Sequence, residues 1–325
     1  MHSKKGFVEI QFNWIFVLIS GAVILILFTG IIINQKDISQ TSIDVLILKN
    51  LDAVLSGSES STGTVNVFSV PNTKINFGCG SYSIGDVTGQ SNINIFAPSF
   101  LEGDSIVSMT AEWNAPYKVT NLVYVTNPRI RYIFIGSSDF ARDIFETIPD
   151  EIRNDGYTNV DVIENENDDH VRIIFFDQDP DFPVNLYGTS VTALKVSGNE
   201  EKGTIEFFYS ENNNFVSEGT SYYIGESALL GAVFSDNLDG YSCVMENVFD
   251  DLNVVSRVYE KKINNLRSIY DGQKCEKFYD PGSIITIKEA SATFNQLNID
   301  RITANANNLG LQNKILQSIS CALIY

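Results

Sequence analysis

The residues from Trp14 to Ile33 (WIFVLISGAVILILFTGIII) carry no charge, and this is the strongest pattern in the chain. At 1.5 Å per helical residue such a run spans roughly the 30 Å hydrocarbon layer of a bilayer, so it predicts a transmembrane helix over 14–33 behind a short segment 1–13. No small-x-small cleavage site follows in Ile31-Ile32-Ile33-Asn34-Gln35, which predicts a retained anchor. Ile43, Ile47, Leu51 and Val54 then recur at helical spacing. They predict that the membrane helix continues as an amphipathic one packed on the rest of the protein. Ser56 to Gly63 (SGSESSTG) lacks helix propensity and an apolar face, so 34–63 reads as a membrane-proximal helix and linker.

The period changes at Thr64. Val65/Val67, Ile75/Phe77, Ile93/Ile95 and the run Asn121 to Thr126 read as strands between Gly, Pro and Asn punctuation, as does Arg131 to Ile135. Ser137-Ser138-Asp139 is a helix start, followed by Phe140, Ile144, Phe145 and Ile148 at helical spacing before Pro149. Val160 to Ile163 reads as the next strand, giving a strand–helix–strand unit with a parallel pair. Two hairpins are expected: Val160–Ile163 with Val171–Phe176, and Val191–Val196 with Thr204–Tyr209. From Glu226 the pattern turns helical. Leu229, Leu230, Val233 and Phe234 form one helix, Val248 to Leu266 a longer one, and Ile302, Leu309, Leu316 and Ile319 a last one ending at Cys321. The expected class is α+β, with a β-rich region over 64–225 and a helical region over 226–325.

Charge sets the topology. Lys4 and Lys5 precede the apolar run while Lys36 and Asp37 cancel after it, which predicts an inside N-terminus and an extracytoplasmic bulk. A net charge of −18 excludes a nucleic-acid partner, since no basic patch exists to neutralise phosphates. Only 19% of residues are charged against 44% apolar, enough to bury a real core. Cys79, Cys243, Cys275 and Cys321 all follow the run and form no CxxC pair, so two disulfides are expected. The helical pattern from Val244 to Ile269 would hold Cys243 and Cys275 roughly 40 Å apart, whereas a disulfide needs Cα atoms within about 7 Å. Each must therefore pair with Cys79 or Cys321. No Asn-x-Ser/Thr sequon occurs.

Lys4-Lys5-Gly6-Phe7 at the head of an apolar helix resembles the processing site of type IV pilin-like proteins, with cleavage implied between Gly6 and Phe7. In that family the acidic residue stands five places after the cut. Here that place holds Gln11 and the acid is Glu9, the third, which predicts an uncut or slowly cut chain. The segment Glu9 to Ile19 is similar to the anchors of uncharacterised archaeal single-pass surface proteins, a resemblance confined to the N-terminal segment. On a helix Glu9, Asn13 and Ser20 lie within about 40° of one another. They make either a face for a partner helix or an interfacial set beside Trp14.

Little in the chain points to catalysis. Asp177, Asp179 and Asp181 alternate as calcium ligands can, but Phe182 stands where a Gly is needed and Pro180 stiffens the run, so a solvated turn is expected. His170 has no serine or thiol partner in the pattern. Cys79 sits in a Gly-rich stretch, Gly78 to Gly85, without phosphate-loop spacing. No catalytic residue, metal or cofactor is expected. The reading is a membrane-anchored, disulfide-bonded surface protein acting by binding or as an envelope component, with the lipid bilayer as first partner. A pilin-like filament or minor pilin subunit is the first alternative, and an exported hydrolase the second.

Overall fold

The β-branched and aromatic runs after residue 64 assemble into two six-stranded sheets in the computed structural model, which describes residues 42–166, 168–187 and 189–325. The expected anchor at 14–33, the processing pair Gly6 and Phe7, and the polar face of Glu9, Asn13 and Ser20 lie outside those residues. Among the described residues no helix is long and apolar enough to cross a membrane. The class is α+β.

Helix α1 (42–59) buries Asp44, Ile47, Leu48, Leu51, Leu55 and Ser58 along one side. The expected stripe is thus rotated. Ile43 is 46% exposed and Val54 only half-buried, because Leu48 and Leu55 complete the packed face instead. The helix also runs through Ser56 and Gly57, where a break was expected. Ser58 Oγ hydrogen-bonds Ser108 Oγ at 3.2 Å and the Asn121 side chain donates to Glu59 O at 2.6 Å, and these long-range bonds offset the poor local propensity.

The first sheet holds β1 (Val65–Gly78), β2 (Ser81–Ile84), β3 (Val87–Gln90), β4 (Ile95–Phe96), β5 (Phe100–Asn114) and β6 (Lys118–Thr126), in the order β3-β2-β1-β5-β6-β4. Alternation along β5 and β6 gives it two buried faces. Ser108 and Asn121 meet α1, while on the other face Trp113 Nε1 donates to Ile224 O and the Tyr124 hydroxyl to Ser227 O, both at 2.8 Å.

The second sheet holds β7 (Ile130–Ile135), β8 (Asn154–Tyr157), β9 (His170–Phe176), β10 (Ser190–Gly198), β11 (Lys202–Glu211) and β12 (Asn214–Ile224), in the order β12-β11-β10-β9-β7-β8. Between β7 and β8 lies α2 (Asp139–Glu146), capped by Ser138 Oγ accepting from Ala141 N. The parallel partner of β7 is β8, not Val160–Ile163, which is a 3-10 turn over Val160–Val162. Ile163 is drawn under the sheet with Ile133 and Ile173, and this burial outweighs its strand propensity. The expected hairpin of Val160–Ile163 with Val171–Phe176 is absent, since β9 runs parallel between β7 and β10. Val191–Val196 and Thr204–Tyr209 do form a hairpin, as β10 and β11.

Helix α3 (Glu226–Phe234) lies between the sheets with every residue from Ala228 to Phe234 buried. Ser227 Oγ donates to Glu112 O on one side, and Arg172 Nη2 to Ala232 O on the other. Helices α4 (Leu238–Ile269), α5 (Gly282–Ala290) and α6 (Gln296–Ser318) follow, and α5 had no clear signal in the sequence pattern. Cys79–Cys243 joins the β1–β2 turn to α4, and Cys275–Cys321 joins the segment after α4 to the end of α6, each with Cα atoms 5.9 Å apart. At 32 residues α4 is about 48 Å long, which keeps Cys243 away from Cys275.

Candidate functional site

Strand β9 (HVRIIFF) is apolar except at its start, as the interior strand of a parallel arrangement should be. Alternation sends Val171, Ile173 and Phe175 to the far face and Arg172 to the face that meets α3. Arg172 is only 3% exposed there. Its Nη1 donates to Ala193 O and its Nη2 to Ala232 O, both at 3.1 Å, and the group lies 5.3 Å from the Phe207 ring centre. Among the described residues Nε has no hydrogen-bond partner, and the atom is closed off from solvent. Among the described residues no carboxylate lies within ion-pair distance of Arg172. Burial pulls its pKa down to about 10, against the opposing fields of Asp236, Tyr132 and Glu218, so it stays charged at neutral pH.

Beside Arg172 is a partly enclosed cavity of about 80 Å³ at the end of α3, where β7, β9 and β10 begin. Phe100, Leu101, Ile130 and Phe234 provide apolar walls, and polar ones come from Thr192 and from two carboxylates, Glu102 and Asp236. Asp236 Oδ1 is already engaged, accepting from Ser99 N at 2.9 Å and from Ser99 Oγ and Asn237 Nδ2 at 2.7 Å. His170 also borders the cavity and meets the Phe100 ring edge-on at 5.6 Å, a packing contact.

Arg131, on the opposite face of the sheet, makes an informative contrast. It is fully buried, and its nitrogens reach Asp155 at 2.6 Å, Asp168 and the Tyr157 hydroxyl at 3.0 Å, and Glu164 O at 2.7 Å. Arg153 closes the set, 2.6 Å from Glu166 and 2.5 Å from Asp168 Oδ1. That oxygen lacks a well-directed hydrogen bond, but the Arg153 charge compensates it. The cluster latches the loop around Asp168 to β7 and β8, and its cations are spent.

The residues singled out from sequence are scattered. Asp177 has φ +53° directly after β9, and Asp179 pairs with Lys195 at 2.5 Å, which holds its carboxyl below the usual range. Among the described residues no group of acidic, His or Cys side chains is arranged to hold a metal ion. Cys79 is in a disulfide. A polar crevice of about 260 Å³ lies where the chain leaves β7 and β9 in different directions, between Ser137, Ser138, Asp177 and Gln178. Such switch points often take ligands in α/β sheets, yet Ser138 Oγ is already used as the α2 cap. Arg172 was passed over in the sequence pattern. The signal was there: a single charge in an apolar strand, on the same face as Ile174 and Phe176.

No protein-family model matches the chain, and no curated protein or solved structure matches it either.

Proposed function

We propose that the chain is a membrane-anchored, disulfide-braced extracytoplasmic protein that acts by binding. The observation that carries this reading is that all four cysteines downstream of the Trp14–Ile33 run are paired in two disulfides, as a compartment outside the reducing cytoplasm allows. The charge-free run supplies the anchor, Lys4 and Lys5 its orientation, and the bilayer is the first partner. Glu9, Asn13 and Ser20 offer a face to a second membrane helix. The regions 64–225 and 226–325 act together in this reading, because α3 is packed between both sheets.

One observation favours the filament alternative: α1 lies along a sheet face, as the second half of a pilin-like helix is expected to do. The hydrolase alternative has less support. Glu102 and Asp236 both line a cavity, but at about 80 Å³ it is too small for a polymeric substrate, and Asp236 Oδ1 is already hydrogen-bonded to Ser99 and Asn237.

The test is protease added to intact cells, followed by non-reducing electrophoresis. Loss of the full-length band without lysis is the expected result, with the two disulfides present in untreated protein. Protection until lysis would overturn the topology. Mass spectrometry of the N-terminal peptide separates the two binding-type readings, since complete removal of Met1 to Gly6 favours the filament.

A further inference from the structure

The parallel strands β7, β8 and β9 end side by side, and the chain leaves β7 toward α2 and β8 on one side while β9 pairs with β7 on the other. Open α/β sheets take ligands in the crevice outside the strand ends at such a switch point. Here the crevice consists of two adjoining cavities, of about 350 and about 260 Å³, that share Gly136, Ser137, Ser138 and Thr158 as walls. The larger is also lined by Phe134, Arg142, Phe145 and Tyr157, the smaller by Asp177 and Gln178. Phe145 and Tyr157 are half-buried and held in place: Phe145 meets the Phe134 ring edge-on at 5.6 Å, and the Tyr157 hydroxyl accepts from Arg131 Nη2 at 3.0 Å. Among the described residues the side chains of Ser137, Thr158 and Gln178 make no hydrogen bond to another residue.

We propose that this crevice binds a neutral sugar, whose ring rests against Phe145 and Tyr157 while its hydroxyls exchange hydrogen bonds with Ser137, Thr158 and Gln178. Room, charge and chemistry select this class. The larger cavity, at about 350 Å³, falls among small-molecule sites of about 300–1,000 Å³ and admits a single sugar ring with bridging waters. An anion is opposed by Asp177 in the wall and by Asp139 in the first turn of α2, and Arg142 is already 2.6 Å from Asp139. That same arginine opposes an organic cation on the aromatic walls. Among the described residues no acidic, His or Cys side chains are arranged to hold a metal ion. What remains is two hydroxyls and a primary amide, groups that both donate and accept and carry no charge. They match a ligand with several hydroxyls, and the aromatic walls match its C–H face, whereas a purely apolar ligand would leave the polar groups unpaired.

The inference rests on the reading of the chain as a binding protein but not on its anchor or topology. Saturation-transfer difference NMR on the full-length, oxidised chain in a sugar-free detergent tests it, with glucose, galactose, mannose and N-acetylglucosamine as separate probes and phenylalanine, choline and acetate as charged controls. Transfer to the ring C–H protons of at least one sugar is expected, reaching a plateau as its concentration rises. T158W fills the wall that the two cavities share from an exposed position and should weaken that uptake at least tenfold while leaving the unfolding midpoint near that of the parent. S137W, at another exposed position in the same wall, replaces T158W if that variant does not fold. No transfer to any of these sugars, equal transfer to a charged control, or undiminished uptake in a folded crevice-filled variant would each overturn the proposal. Sugar uptake by a chain whose bulk proves cytoplasmic would remove the topology alone, and an exported chain that takes up no sugar would remove this inference alone.

Discussion

Arg131 and Arg172 sit on opposite faces of one sheet, Arg131 among carboxylates and Arg172 against the carbonyls of Ala193 and Ala232. Arg131→Met leaves Asp168, which has a fully buried side chain, with Arg153 as its one remaining ion-pair partner among the described residues. Breaking a buried pair from one side typically costs about 3–5 kcal/mol, so urea denaturation should show a loss in that range. Glu59 gives a pH-dependent case. Burial first and Asp251 second raise its carboxyl pKa, and its place at the end of α1 faces the negative end of the helix dipole. A raised folded-state pKa means the native state holds the proton more tightly than the unfolded chain does. Stability is therefore lost as pH rises through that value. Glu59→Gln should stabilise the protein by about 0.5 kcal/mol or less at pH 7, discounted for solvent screening, and by nothing measurable below the unfolded carboxylate range near pH 4. Unfolding midpoints across that range check both the sign and the window.

Among the elements, α3 is the one on which the two sheets depend. Its sequence ESALLGAVF has no polar stripe, which fits a helix buried on all sides. Gly231 is the point of closest approach: a Cβ there would come within 2.9 Å of Phe96 ring carbons. Gly231→Ala should gain up to about 1 kcal/mol in helix propensity but lose more to overpacking, for a net destabilisation of about 1–2 kcal/mol by urea denaturation. Elements with strong local punctuation were legible in the sequence. Ser138 caps α2 as its pattern predicts, and α4 runs unbroken between its Asn237 cap and Ile269. Strand β8 (NDGY) was not legible, because it has neither alternation nor β-branched residues and exists as the edge partner of β7. Val160–Ile163 shows the converse, strand-like residues spent on covering the far face of the sheet.

At the scale of the whole molecule the disulfides join parts far apart in the chain. Cys79–Cys243 spans 164 residues and Cys275–Cys321 spans 46. In the chain-entropy model, closing loops of these lengths contributes about 5 and about 4 kcal/mol respectively. The double variant C79S/C243S should lower unfolding stability more than C275S/C321S, and both losses should appear in denaturation of the full chain without added reductant. Much of this architecture follows from signals within a few turns of chain. The α+β class, helices α2, α3, α4 and α6, and the separation of Cys243 from Cys275 by an unbroken helix all come from periodicity and caps, which act over short range. The partner of each cysteine, the face that α1 presents, the parallel placement of β9 and the burial of Arg172 beside a cavity come from contacts between distant segments. Hydrophobic burial and backbone pairing reward whichever segment is in reach once the sheets have stacked, and that reach is a property of the folded arrangement, not of any local stretch of residues.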